Sequence, residues 1–123
     1  MLIVEDEPDL AHVMELVLTR AGFQVHCEGA GRAARALVQQ VHLDVVVMDR
    51  GLPDMDGLEA VGLLRSDGYR GAILVVSGWA GPEHVSTSLA AGADAVLGKP
   101  FALADLVEQV RLALEKDAVA EAG

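Results

Sequence analysis

The sequence predicts an α/β domain built on a parallel β-sheet. Short apolar runs at residues 1–4, 43–48, 72–76 and 95–97 alternate with stretches of helical spacing. The connections between them are short, which suits β–α units joined by right-handed crossovers. Each run also ends in chemistry: Glu5-Asp6-Glu7 after the first, Asp49 after the second, Ser77 after the third and Lys99-Pro100 after the fourth. In a parallel sheet the C-terminal ends of the strands border one crevice, where such folds bind ligands. Carboxylates, a hydroxyl and an ammonium are thereby expected to converge.

The elements follow in order. Residues 1–4 read as a short apolar strand. Pro8 suits a helix start, and Leu10, Val13, Met14, Val17 and Ala21 keep helical spacing up to Gly22, a fitting residue just past a helix end. Phe23, Val25 and Cys27 alternate with Gln24, His26 and Glu28, as in a half-buried strand near a sheet edge. Ala33, Ala34, Leu37, Val38 and Val41 mark a second helix, and the nearly all-apolar run 43–48 a central strand covered on both faces. Beyond the loop 50–57, Leu58, Val61 and Leu64 mark a third helix, interrupted by Gly62.

Ser66-Asp67-Gly68 breaks the chain before the buried-type strand 72–76. Gly81-Pro82 opens a fourth helix, marked by Val85 and Leu89 and closed by Gly92. A short fifth strand covers 95–97, and Leu103, Leu106, Val107, Val110 and Leu114 trace a final amphipathic helix. Residues 1–116 read as one domain, and the Ala/Glu-rich 117–123 as a tail or the start of a linker.

Composition narrows the function. The 123 residues are 52% apolar but only 3% aromatic, so Val, Leu, Ala and Ile must build the core. A net charge of −10 disfavours direct contact with nucleic acid or an anionic membrane surface. The single Cys27 allows no internal disulfide, and no Cys/His metal spacing occurs. With no apolar run long enough to span a bilayer and no room for a leader before Glu5, the expected setting is the cytoplasm.

The acids explain themselves best as a metal site. Crowded carboxylates repel and raise one another's pKa unless a cation joins them. Oxygen-only ligands point to Mg²⁺ rather than zinc. Neutralising Asp6 is then expected to stabilise the metal-free domain. Glu7 reads as a helix-start residue favoured by the dipole. Asp54 and Asp56 lack the ligand pattern of an EF-hand and are expected to shape the turn into the third helix, with Gly57 relieving backbone strain. His12, His26, His42 and His84 are scattered, which argues against a histidine metal or phosphotransfer site.

Taken together, Glu5-Asp6-Glu7, Asp49 with Leu52-Pro53 and Asp56-Gly57, Ser77-Gly78 and Lys99-Pro100-Phe101 resemble the signature of two-component response-regulator receiver domains. No single piece is specific; the ordered set is, and it covers residues 1–116. The resemblance implies a flavodoxin-like, doubly wound sheet of five parallel strands in the order 2-1-3-4-5 with five helices. It also implies Mg²⁺ dependence and an aspartyl phosphate taken from the phosphohistidine of a histidine kinase or phosphotransfer protein. Asp49 is then the phosphoacceptor, with Glu5, Asp6, Asp49 and the Gly51 carbonyl as metal ligands. Lys99 and Ser77 are the groups that bind phosphoryl oxygens, and the Lys99–Pro100 bond is cis.

Departures from the family pattern carry expectations of their own. Glu5 stands where Asp is common, and Gly78 where Ala is usual. Val96 replaces the Tyr or Phe that rotates in the familiar switch, and a valine cannot swing in that way. Trp79, on the loop expected to close over the phosphoryl group, is a candidate for that role. The fourth helix lacks the basic residues typical of the dimerising winged-helix subfamily. Among rivals, a haloacid-dehalogenase-type phosphatase would want a second Asp where Gly51 stands. A flavodoxin would not place Glu5-Asp6-Glu7 against a flavin phosphate. A degenerate receiver acting only through protein contacts is opposed by the intact Asp49 and Lys99.

Overall fold

The computed structural model describes residues 1–78 and 81–122. Five strands, β1 (Leu2–Val4), β2 (His26–Glu28), β3 (Val45–Asp49), β4 (Ala72–Ser77) and β5 (Ala95–Gly98), alternate with five helices. The helices are α1 (Pro8–Arg20), α2 (Gly31–Gln40), α3 (Gly57–Ser66), α4 (Pro82–Ala91) and α5 (Leu103–Ala122). All strand pairs are parallel and the sheet order is β2-β1-β3-β4-β5. This is the expected doubly wound arrangement.

Alternation along the strands divides the core in two. Val4, Val46, Met48, Ile73 and Val75 face Ala34, Ala60, Val61 and Leu64, so α2 and α3 cover that side. Ile3, Val45, Val47, Leu74 and Val76 face Met14, Leu18, Leu106 and Val110 from α1 and α5. Every residue of β1, β3 and β4 is buried, because these inner strands have a covered face on both sides.

Some boundaries differ from the sequence reading, for physical reasons. Strand β2 keeps only three residues, since it pairs with β1 alone at the sheet edge. Phe23 and Val25 still pack against the core from the preceding segment, but Cys27 is exposed. Val41 ends α2 in an extended conformation instead of extending its apolar stripe. Leu89 is 45% exposed, and the buried residue of α4 is Ser88, whose hydroxyl donates to the His84 carbonyl. Residues 117–122 continue α5. Gly22 and Gly92 adopt positive φ angles of 102° and 119° just past α1 and α4, where a side chain would be strained. Gly57 answers a different need: a Cβ there would run into the Asp49 carbonyl and lie 2.6 Å from Arg50 Cα. Its role is close approach of α3 to the end of β3, not relief of a strained dihedral.

Candidate functional site

Strand register builds the site. Val4 lies beside Met48, Asp49 beside Val76, and Ser77 beside Gly98. Glu5, Asp49, Ser77 and Lys99 therefore emerge at one level of the sheet. Backbone bonds fix the ends: Glu5 N donates to Glu28 O, Arg50 N to Val76 O, and Lys99 N to Ser77 O, at 3.0, 3.0 and 2.8 Å. The Lys99–Pro100 peptide is cis, as the resemblance to receiver domains implied.

These residues border a cleft of about 290 Å³ that also takes in Asp6, Glu7, Arg50, Gly51 and Gly78. Lys99 Nζ donates to Glu5 Oε1 at 2.8 Å and to Asp49 Oδ1 at 3.0 Å, bridging the two buried acids. Glu5 is 4% exposed, Asp49 6% and Ser77 2%, whereas Asp6 lies open to solvent. Burial, reinforced by the neighbouring Asp49 carboxylate, pushes Glu5 up to about 7 despite the pull of Lys99. Burial alone would lower Lys99, but Glu5 and Asp49 together raise it, so the ammonium stays charged. The stored repulsion thus sits in the buried Glu5–Asp49 pair. Asp6 stands at the exposed rim of the same group, where solvent screens its charge.

Carboxylate oxygens of Glu5, Asp6 and Asp49 all lie within 4.8 Å of one another. Three hard oxygen donors at that spacing fit a Mg²⁺ ion, and the excess negative charge of the cleft favours one. Glu7 occupies the position before α1 without capping it through its side chain, and it stands outside this ligand group. Val96 is half-buried and packs against the core on the α2–α3 side of the sheet. Trp79 lies outside the described residues.

Two contributions were not read from the sequence. Asp54 was expected only to shape its own turn. Its carboxylate instead accepts from the backbone N–H groups of Gly31 and Arg32 at 2.8 and 2.9 Å, clasping the start of α2, and these bonds hold it below the usual carboxylate range. Asp56 does shape the turn into α3, as its N-cap, accepting from Leu58 N at 2.9 Å. The loop carrying Gly51 is thus fastened to two helix starts. Replacing Asp54 with Ala should lower the melting temperature and weaken Mg²⁺-dependent stabilisation, both read in one thermal scan. A normal Mg²⁺ response in that variant would show that the clasp does not position the loop. The second unread contribution is Arg50, which lines the cleft and reaches His84 of α4 with its guanidinium. The only signal for it in the sequence was a cation directly after Asp49.

Comparison with known proteins decides the family. The response regulator receiver domain family matches residues 1–111. The chain belongs to that family. This receiver is 34% identical over 117 residues to the transcriptional regulatory protein PmrA of Pectobacterium parmentieri, covering 95% of the chain and 53% of the relative. It is 35% identical over 115 residues to the regulatory protein AtoC of Escherichia coli K12, covering 94% of the chain and 25% of the relative. The receiver thus spans about half of the first relative and a quarter of the second. Among solved structures, a CheY-like receiver domain protein from Methanospirillum hungatei JF-1 superposes with a TM-score of 0.90 at 27% identity, covering 97% of this chain and 95% of that one. The receiver domain of a histidine kinase from Syntrophus aciditrophicus gives 0.84 at 28% identity, covering 94% and 89%. No helix among the described residues is long and apolar enough to cross a membrane.

Proposed function

We propose that this receiver accepts a phosphoryl group on Asp49 from the phosphohistidine of a histidine kinase or phosphotransfer protein. The observation that carries the reading is the Lys99 ammonium held between buried Glu5 and Asp49 at the mouth of the central strand. An Asp49 oxygen attacks phosphorus in line with the P–N bond. A P–O bond forms, the P–N bond breaks, and the imidazole nitrogen keeps the electron pair. Such transfer needs alignment and charge neutralisation more than covalent help. Because β3 is buried and rigid, Asp49 presents its carboxylate in a fixed place. Lys99 moves its point charge from the carboxylate to a phosphoryl oxygen, and the Ser77 hydroxyl donates to another.

Glu5 (directly or through water), Asp6, Asp49 and the Gly51 carbonyl would hold Mg²⁺, which supplies neutralisation of the phosphoryl charge. Water later hydrolyses the acyl phosphate, so the domain is a self-limiting signal element of the cytoplasm and not a turnover enzyme. Its surface change is read by an output domain or partner protein, and the net charge of −10 keeps this domain itself off nucleic acid. The test is incubation with phosphoramidate and Mg²⁺, followed by mapping of a single acid-stable, hydroxylamine-labile phosphate to the peptide containing Asp49. A label on a histidine or serine would overturn the assignment.

Trp79 extends the reading to the loop after β4. As the only tryptophan, its emission reports that loop without a label. Mg²⁺ with beryllofluoride should change its intensity or wavelength more than Mg²⁺ alone, and Trp79→Ala should shorten the lifetime of the acyl phosphate. Emission indifferent to both, with an unchanged lifetime in the variant, would leave Trp79 a surface residue.

A further inference from the structure

We propose that Arg50 and His84 form a latch through which the state of Asp49 reaches α4, doing what a rotating aromatic at position 96 would otherwise do. The inference rests on the reading of Asp49 as phosphoacceptor. Arg50 directly follows Asp49, and its backbone is pinned on both sides: its N–H donates to Val76 O and its carbonyl accepts from Gly57 N at 2.8 Å. Arg50 lines the cleft beside Asp49, and its guanidinium reaches on to α3 and α4. There Nη1 lies 3.3 Å from His84 Nδ1, and Nε lies 3.4 Å from Asp56 Oδ1. A guanidinium only donates, so His84 Nδ1 is the acceptor and its ring proton sits on Nε2.

Helix α4 has few other buried anchors. Ser88 is its single buried residue, and Leu89 points outward. The hydroxyls of Thr87 and Ser88 donate to carbonyls of their own helix, Glu83 O and His84 O, at 2.9 and 2.8 Å. Such back-bonding does not tie a helix to its neighbours and slightly weakens it. At the far end Arg65 Nε donates to Gly92 O at 2.9 Å, just past the helix. Beyond Ala91, which packs against the core, the helix is thus tethered by an arginine contact near each end. Loss of one tether shifts its equilibrium.

Phosphorylation supplies the bias. It adds negative charge on Asp49 within the cleft that Arg50 also lines. The guanidinium then gains more from the phosphoryl side than from a neutral imidazole nitrogen, which is the differential interaction a switch requires. The His84 contact is given up and the first turns of α4 are released. Val96, small and half-buried against the core, has no part in this route.

Hydrogen exchange of the amides of α4 in the whole chain, with and without Mg²⁺ and beryllofluoride, tests the latch. In the wild type, exchange over residues 82–91 should rise about fivefold on adding both ligands, the effect of one lost hydrogen bond. His84→Phe should show that faster exchange without ligand and respond no further, while still accepting phosphate on Asp49. His84→Asn, whose side-chain oxygen can accept in place of Nδ1, should restore the wild-type response. A His84→Phe variant that takes phosphate and whose α4 responds as in the wild type would overturn the latch and leave the phosphoacceptor reading standing. Failure of the wild type itself to take phosphate would overturn that reading, and the latch with it.

Discussion

Asp49→Asn should take up no phosphate from phosphoramidate or acetyl phosphate in the presence of Mg²⁺, while the wild type takes up one. The amide keeps the shape of the carboxylate but lacks the lone-pair basicity of a nucleophile. It also takes the negative charge from one of three candidate oxygen ligands and from one of the two carboxylate acceptors of Lys99. Because Asp49 is buried at the end of β3 and carries no part of the core, the variant should keep its fold, checked by circular dichroism. Lys99→Ala should slow phosphorylation by about 10²-fold, the usual cost of removing one preorganised charge donor from a phosphoryl or oxyanion site. The two variants separate roles: Asp49→Asn abolishes the label, and Lys99→Ala delays it. Unchanged labelling in Asp49→Asn would remove the central claim.

How much of this was legible in the sequence depended on where the information lies. The inner strands were, because burial on both faces forces unbroken apolar runs such as 45–48 and 72–76, and those runs end in the residues of the site. The meeting of Glu5, Asp49 and Lys99 followed from parallel topology, since the strand ends then share one edge. The edge strand was legible only in part: β2 pairs on one side, so its alternation weakens and Cys27 turns outward. Helix α4 misled for a similar reason. Its apolar spacing through Val85 and Leu89 promised a packed face, but Leu89 is exposed and Ser88 is buried. Contacts between distant loops left no local trace at all. Asp54 reaching Gly31 and Arg32 looks, in sequence, like any acid in a Pro-Asp turn. Arg50 meeting His84 crosses 34 positions and belongs to no motif.

The metal-free receiver should be less stable at pH 8 than at pH 5.5, and Mg²⁺ should remove most of that difference. Glu5 carries the argument. Its pKa in the fold is raised to about 7 by burial and by the Asp49 carboxylate. A group whose folded value lies above its unfolded value contributes stability that is full below the unfolded value, about 4.5, and is lost as pH climbs through 7. Asp54 and Asp67 shift the other way: backbone bonds hold the first down and Arg35 the second. Their contributions are present above the ordinary carboxylate range and are lost only as pH falls through it, below the window scanned. Glu5→Gln should therefore raise the melting temperature of the metal-free protein at pH 8, by about 1–2 kcal/mol of stability, and flatten its pH profile. Asp6→Asn should do less in the absence of metal, since Asp6 is exposed. With metal the order changes: ion at tenfold over its dissociation constant adds about 1.4 kcal/mol to the wild type. Either acid variant should lose much of that gain, because each turns one of three candidate carboxylate ligands into a neutral amide. A wild-type melting temperature indifferent to Mg²⁺ at pH 8 would mean that Lys99 alone neutralises the cleft. A profile that stays flat from pH 5.5 to 8 without metal would mean that Glu5 is ionised throughout, and that its repulsion with Asp49 is absorbed by the same ammonium.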